Sequence, residues 1–326
     1  MESNPHILSR RALVRGAGIA ASAGLLAGSP SEIRSARYTA KKGSVSLAMY
    51  RKRPAGSSLP VIFLVHGSSL SAQSSYDLEV PGSDDYSMMD VFARYGFDVW
   101  TMDHENYGNS SRTAANSDIA SGAEDLKAGI DLVLRETGRR QVHLFGESSG
   151  GLRAGVYAMA HPQTVDRLIL AAFTYKGEGS PTLAKRAEQL GYYRTHNTRL
   201  RDREMIHGIY TRDKAGTTDP KIADIVADKE LKFGDQVPTG TYLDMTANLP
   251  VVDPARVLAP VLLLRGEYDG IATVEDLSEF FKRLPNGDRQ FTILPGAAHS
   301  LIVNVNRRQT WHAVRSFLSM PASALS

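Results

Sequence analysis

Residues 142–155 read VHLFGESSGGLRAG. An apolar run of strand character passes through a cluster of small residues into a segment of helical character, with almost no room for a loop. A chain makes that reversal only where glycines let strand and helix backbones approach without Cβ clashes. Gly146-Glu147-Ser148-Ser149-Gly150 fits G-x-S-x-G, and only Ser148 falls at the central position. In a strand–turn–helix context this pentapeptide reads as a nucleophile elbow, a turn that strains the serine and exposes its hydroxyl. A helix starting at Ser149 would aim its free N–H groups and positive dipole end at the reaction centre. The plain alternative is a glycine-rich turn without chemistry.

The flanking sequence supplies a matching frame. LPVIFLVHG, FDVWTMD, QVHLFGE, VDRLILAAF, APVLLLRG and RQFTILPG are strand-like, and most are apolar throughout. They alternate with helix-like segments, of which residues 117–138 carry Ile119, Ala123, Leu126, Ile130 and Val133 at helical spacing before Gly138 as a C-cap. GSVSLAMYRKRPAG alternates apolar and polar residues and is expected to be an edge strand. Continuous apolar strands separated by helices predict an α/β fold with a mostly parallel sheet covered on both faces. Residues 175–250 break the pattern with polar, helix-like pieces. A structureless loop of that length is improbable in a compact domain, so an inserted helical cap is expected.

A serine hydroxyl needs a base to take its proton. Of nine histidines, His299 lies in a small-residue loop after the last predicted strand, where a base would sit in a Ser…Asp…His chain order. Its orienting carboxylate is expected to be Asp269, in RGEYDG, one strand–helix–strand unit upstream; Glu267 is the competitor. The oxyanion formed on attack needs two backbone donors. Ser149 would supply one and Ser68, after His66-Gly67, the other. Ser69, Glu147 and Tyr175 are candidate substrate contacts.

The absence of cysteine excludes thiol nucleophiles, thiolate metal sites and disulfides. The N-terminus, SRRALVRGAGIAASAGLLAGS, pairs Arg10 and Arg11 with a short, weakly apolar run, too short to span a bilayer. It resembles a twin-arginine export signal, with Ala27 and Ala36 near plausible cleavage points. Periplasmic or secreted placement is the expectation, without stable membrane insertion once the signal is removed. Residues 1–36 carry four arginines and two glutamates, so without them the formal charge falls from +3 to +1. Such a balance gives no electrostatic case for nucleic acid. Between Lys185 and Lys214 lie eight basic and four acidic residues. A solvated helical face is the plainer reading of that surplus, and a site for aromatic or anionic esters the sharper one.

Taken in order, VHGSS, DHENYGNSS, GESSGG, RGEYDG and GAAHS resemble the α/β-hydrolase family over about residues 43–319. The loop MDHENYGNSS departs from the family's pattern by one residue and one glycine, and Asp103 and Gly108 there read as structural. The resemblance implies an eight-stranded-type sheet with an inserted cap: residues 1–36 as signal and linker, 37–174 and 251–326 as core, and 175–250 as cap. It implies acyl transfer to water on a small-molecule ester, with no metal or organic cofactor needed. Amide, peptide or carbon–carbon bond hydrolysis by the same triad are alternatives, and a non-catalytic module on this fold is a remoter one. Oligomeric state is not legible.

Overall fold

In the computed structural model, which describes residues 32–56 and 58–321, the apolar runs become the central strands of one sheet. The first part of the core comprises β1 (Arg34–Lys42), β2 (Val45–Arg53), β3 (Val61–Val65), α1 (Ala72–Tyr76), α2 (Met88–Arg94), β4 (Asp98–Met102), α3 (Ile119–Thr137), β5 (Val142–Glu147), α4 (Ser149–Ala160) and β6 (Val165–Ala171). There follow α5 (Pro181–Ala187), α6 (Leu190–Thr195), β7 (Thr198–Leu200), α7 (Arg203–Thr211), α8 (Pro220–Glu230), β8 (Gln236–Pro238) and α9 (Gly240–Ala247). The chain then returns to the sheet through β9 (Val261–Gly266), α10 (Val274–Arg283), β10 (Arg289–Leu294) and α11 (Arg307–Leu318).

The strand order is β1-β2-β4-β3-β5-β6-β9-β10. From β4 to β10 every pairing is parallel, whereas β1–β2 and β2–β4 are antiparallel. This is the eight-stranded, mostly parallel α/β sheet expected, with one correction. Val45–Arg53 is not the edge; β1 covers it. β1 is mostly exposed and carries Arg34, Arg37, Lys41 and Lys42, so it has no hydrophobic periodicity to betray it. Charged edge positions also discourage pairing with another chain. Arg34, Ser35 and Ala36 pair with Arg53, Lys52 and Arg51, so the sheet begins inside the stretch assigned to the export signal and linker. Arg10, Arg11, Arg15 and Ala27 lie outside the described residues.

Two apolar layers sandwich the sheet, as both-face burial of a parallel sheet requires. On one side Leu126, Ile130 and Val133 of α3 and Leu152 of α4 pack with Phe63 and Trp100. On the other, Phe92 of α2 and Trp311 of α11 pack with Phe145. Asp118 caps α3 by accepting from the Ser121 N–H at 2.7 Å, and Gly138 ends it in the left-handed region at φ 67°. The β6–β9 insertion is rooted in the second layer: Ile206, Ile222, Ala223 and Val226 of α7 and α8 are buried there. Its two short strands pair only with each other.

Candidate active site

Every predicted chemical group stands at the carboxyl end of a strand, because parallel strands deliver all their carboxyl ends to one edge of the sheet. Ser148 follows β5, Ser68 follows β3, Asp269 follows β9 and His299 follows β10. Ser148 has φ 58° and ψ −127°, a strained conformation for a residue with a side chain. Its N–H is tied to the Ala171 carbonyl at 2.8 Å. The glycines around it are sterically required. A Cβ on Gly146 would strike the Gly150 carbonyl, and one on Gly150 would strike that of Val65.

The three expected residues form one hydrogen-bonded chain. His299 Nε2 lies 3.0 Å from Ser148 Oγ, and His299 Nδ1 lies 2.9 Å from Asp269 Oδ1. The same carboxylate oxygen accepts from the Ile271 N–H at 2.9 Å. Burial alone would raise the Asp269 pKa; the charge and hydrogen bond of His299 outweigh it and hold the carboxyl below its ordinary value. A hydroxyl, an imidazole and a buried carboxylate in this order are arranged for general-base activation of the hydroxyl. Glu267 points elsewhere, accepting from the Gly296 N–H at 2.8 Å.

Ser68 and Ser149 meet directly: Ser68 Oγ donates to Ser149 Oγ at 2.7 Å, and both residues are buried. That contact locks the two candidate oxyanion donors to each other across β3 and α4. The loop carrying Ser68 is also held by groups that the sequence alone does not single out. Tyr107 donates to the Ser68 carbonyl at 2.8 Å, and the His66 Nδ1–H donates to the Gly67 carbonyl at 2.9 Å. The His66 Nε2 then accepts from the His104 N–H at 3.1 Å, which fixes the tautomer. Burial, with the nearby His104 and Arg153 charges, keeps His66 neutral by lowering its pKa well below the ordinary value. From above, the inserted segment grips the same loop. Glu230 accepts from the Ser71 N–H at 2.9 Å and from Ser71 Oγ at 2.7 Å. Arg201, paired with Glu230, donates to the Ser69 carbonyl at 3.2 Å; both ion-pair partners are buried.

Glu147 does not act on Ser148. Its carboxylate accepts from the Leu301 N–H at 2.9 Å and so anchors the loop that follows His299. Burial first, and the Asp269 charge in addition, push its pKa up to about 7 against the backbone N–H groups of Leu301 and Ile302. Ser69 hydrogen bonds to Tyr242 at 2.6 Å and lines the site. Tyr175 does not. Its ring packs 5.4 Å from Phe280 in the core, and its hydroxyl accepts from Arg283. Asp103 accepts from the Ala72 and Asn109 N–H groups, each at 2.9 Å, and a Cβ on Gly108 would collide with it.

Two cavities converge here. A small one of about 60 Å³ is lined by Ser148, His299, Ser68 and Glu147. A larger vestibule of about 830 Å³ lies beneath the inserted segment. Ser69, Ile209, Arg186 and Arg212 line both. The basic surplus is therefore not simply a solvated face, since three of its arginines (Arg186, Arg199 and Arg212) border the vestibule. Among the described residues, the group with potential to hold a metal is Asp213, Asp269 and His299. Both ring nitrogens of His299 are already committed, to Asp269 and to Ser148.

Comparison with known proteins agrees with this fold. The family model described as serine aminopeptidase, S33 matches residues 84–306. A 2-hydroxy-6-oxononadienedioate/2-hydroxy-6-oxononatrienedioate hydrolase from Paraburkholderia phymatum is 29% identical over 130 residues, which are 39% of this chain and 40% of that protein. The match thus spans well under half of the curated relative. Solved structures share the fold at low identity. Carboxylesterase CesB from Bacillus subtilis superposes with a TM-score of 0.63 at 19% identity, covering 89% of this chain and 93% of that one. A bromoperoxidase from Bacillus anthracis gives 0.63 at 18%, covering 87% and 100%. The 2-hydroxy-6-oxo-6-phenylhexa-2,4-dienoate hydrolase BphD from Rhodococcus sp. strain RHA1 gives 0.63 at 18%, covering 88% and 100%.

Proposed function

Because this chain belongs to the serine aminopeptidase, S33 family of α/β-hydrolases, we propose that it is a serine hydrolase whose reaction is cleavage of a carboxylic ester. The observation that carries the proposal is the Asp269–His299–Ser148 chain opening on a cavity beside Ser68 and Ser149. Ser148 Oγ attacks the ester carbonyl while His299 Nε2 takes its proton. Asp269 stabilises the imidazolium. The Ser68 and Ser149 N–H groups, with the N-terminus of α4, receive the oxyanion. Collapse of the tetrahedral adduct expels the alcohol, protonated by His299. Water, deprotonated by the same histidine, then clears the acyl-enzyme.

An aminopeptidase must hold a substrate ammonium next to the scissile bond. Here Arg186 and Arg212 line both the vestibule and the cavity at Ser148, and their charges oppose a cation there. That favours ester over N-terminal peptide cleavage. Carbon–carbon bond hydrolysis is the second reading, favoured by the Paraburkholderia phymatum relative. Turnover of p-nitrophenyl acetate, the matching p-nitroanilide and a 2-hydroxy-6-oxo-dienoate separates the readings. Ester hydrolysis should exceed the other two in kcat/KM. Faster cleavage of the dienoate would transfer the assignment to the second reading, and faster cleavage of the anilide would overturn both.

A further inference from the structure

The vestibule beneath the inserted segment contains cations that no carboxylate pairs with among the described residues. Arg186 and Arg199 each lie 5.0 Å from the centre of the Tyr242 ring. Among the described residues, neither forms an ion pair with a carboxylate. Arg186 reaches only Met245 Sδ, at 3.8 Å, and Arg199 only the Tyr193 hydroxyl, at 3.4 Å. The other arginines of the wall are engaged. Arg212 bonds Asp213 at 3.3 Å, and Arg265 is spent on the carbonyls of Gly266, Glu267, Asp269 and Ala272. Burial above all, then the charges of Arg212 and Arg199, lower the Arg186 pKa to about 10. Stacking on tyrosine offsets only part of that cost.

An anion in the vestibule, held against these guanidiniums, would offset their charge and accept charge-assisted hydrogen bonds. The same surroundings limit the anion's charge. Five cationic and four acidic side chains line the vestibule, a balance that suits a monoanion better than a dianion. Met205, Ile209, Ala272 and the Tyr193 and Tyr242 rings supply apolar surface for a carbon chain. The vestibule is also wired to the reaction centre, because Tyr242 hydrogen bonds to Ser69, which lines both cavities.

We infer that Arg186 and Arg199, stacked on Tyr242, form a subsite for a carboxylate carried at the far end of the substrate, so that the preferred esters are monoesters of dicarboxylic acids or other esters bearing one free carboxylate. This rests on the ester-hydrolase proposal and narrows its substrate class.

The test compares p-nitrophenyl hemiglutarate with p-nitrophenyl pentanoate, a neutral ester of similar length. Wild-type protein should favour the hemiglutarate in kcat/KM by at least about tenfold, the scale of one or two charged hydrogen bonds. In the Arg186→Met/Arg199→Met double variant that ratio should fall to about one, chiefly through KM. Arg186→Lys/Arg199→Lys should retain part of the preference, and a wild-type-like melting profile of both variants establishes that they fold. A ratio near one in the wild type, or an undiminished ratio in the methionine double variant, overturns the subsite. Calorimetric titration of Ser148→Ala protein with monomethyl glutarate separates the two proposals, because it needs no turnover. Binding that disappears when Arg186→Met and Arg199→Met are added supports the subsite even if no ester is cleaved. Absence of binding to Ser148→Ala protein rejects the subsite, whatever the esterase result.

Discussion

Replacing Glu147 by glutamine should stabilise the protein at alkaline pH, although it changes a residue adjoining the elbow serine. Glu147 is held by the Leu301 N–H yet has too little polar company to offset burial, so its pKa rises from 4.5 to about 7. The sign follows from linkage. Below pH 4.5 the carboxyl is protonated in both folded and unfolded states, and its contribution is fully present. As pH rises through about 7 the folded state must also ionise, and the contribution is lost. At ~1.4 kcal/mol per pH unit, the interval between 4.5 and about 7 corresponds to a ceiling of about 3 kcal/mol. Glu147 borders a cavity that water can enter, so roughly 1–2 kcal/mol is the working expectation. Glutamine keeps a carbonyl oxygen for the Leu301 N–H and has no charge to bury. Urea unfolding of wild type and Glu147→Gln at pH 5 and pH 8, followed by tryptophan fluorescence, measures this. The midpoints should nearly coincide at pH 5, and the variant should be the more stable at pH 8. Equal midpoints at pH 8, or a gap of the same size at both pH values, would refute the link between Glu147 ionisation and stability.

Further outcomes follow from other contacts. Glu230→Gln or Arg201→Met leaves one charge of a buried pair unmatched and should cost about 3–5 kcal/mol. The Arg201→Met/Glu230→Met double variant should recover part of that loss in the same urea assay, and full additivity would contradict the pairing. Asp269→Asn should lower kcat by about 10⁴-fold by disturbing the His299 tautomer, whereas Glu267→Gln should change it less than about tenfold; the reverse pattern would move the orienting role to Glu267. Export through a twin-arginine signal is proposed from Arg10 and Arg11. Changing both to lysine should block delivery to the periplasm in cell fractionation, and undiminished delivery would reject it.

The elbow and the positions of Asp269 and His299 were legible because each is written locally: an apolar strand, a short turn, then the chemical residue. Parallel-sheet topology does the rest by delivering those strand ends to one edge. β1 was not legible, because a charged edge strand has no alternating apolar face to read. Neither was the latch between Ser71 and Glu230, whose partners lie 159 residues apart. The Tyr107 and His66 groups that hold the Ser68 loop carry no chemical signal in sequence, and only their burial under that loop reveals what they hold. The arginine surplus between Lys185 and Lys214 was visible, but helical fragments with no assigned neighbours do not say which guanidiniums turn inward. Tyr175 was misplaced for the same reason: its place in the expected cap suggested the site, while its ring found Phe280.

The proposed nucleophile is the Ser148 hydroxyl, activated by His299. Intact-mass analysis after incubation with a fluorophosphonate tests it most directly, since the reagent forms a stable covalent adduct with an activated serine and transfers no more than one group per such site. A single adduct is expected that maps to Ser148, is absent from Ser148→Ala, and forms far more slowly in His299→Ala. An adduct that persists in Ser148→Ala, or ester turnover undiminished by that substitution, would contradict it.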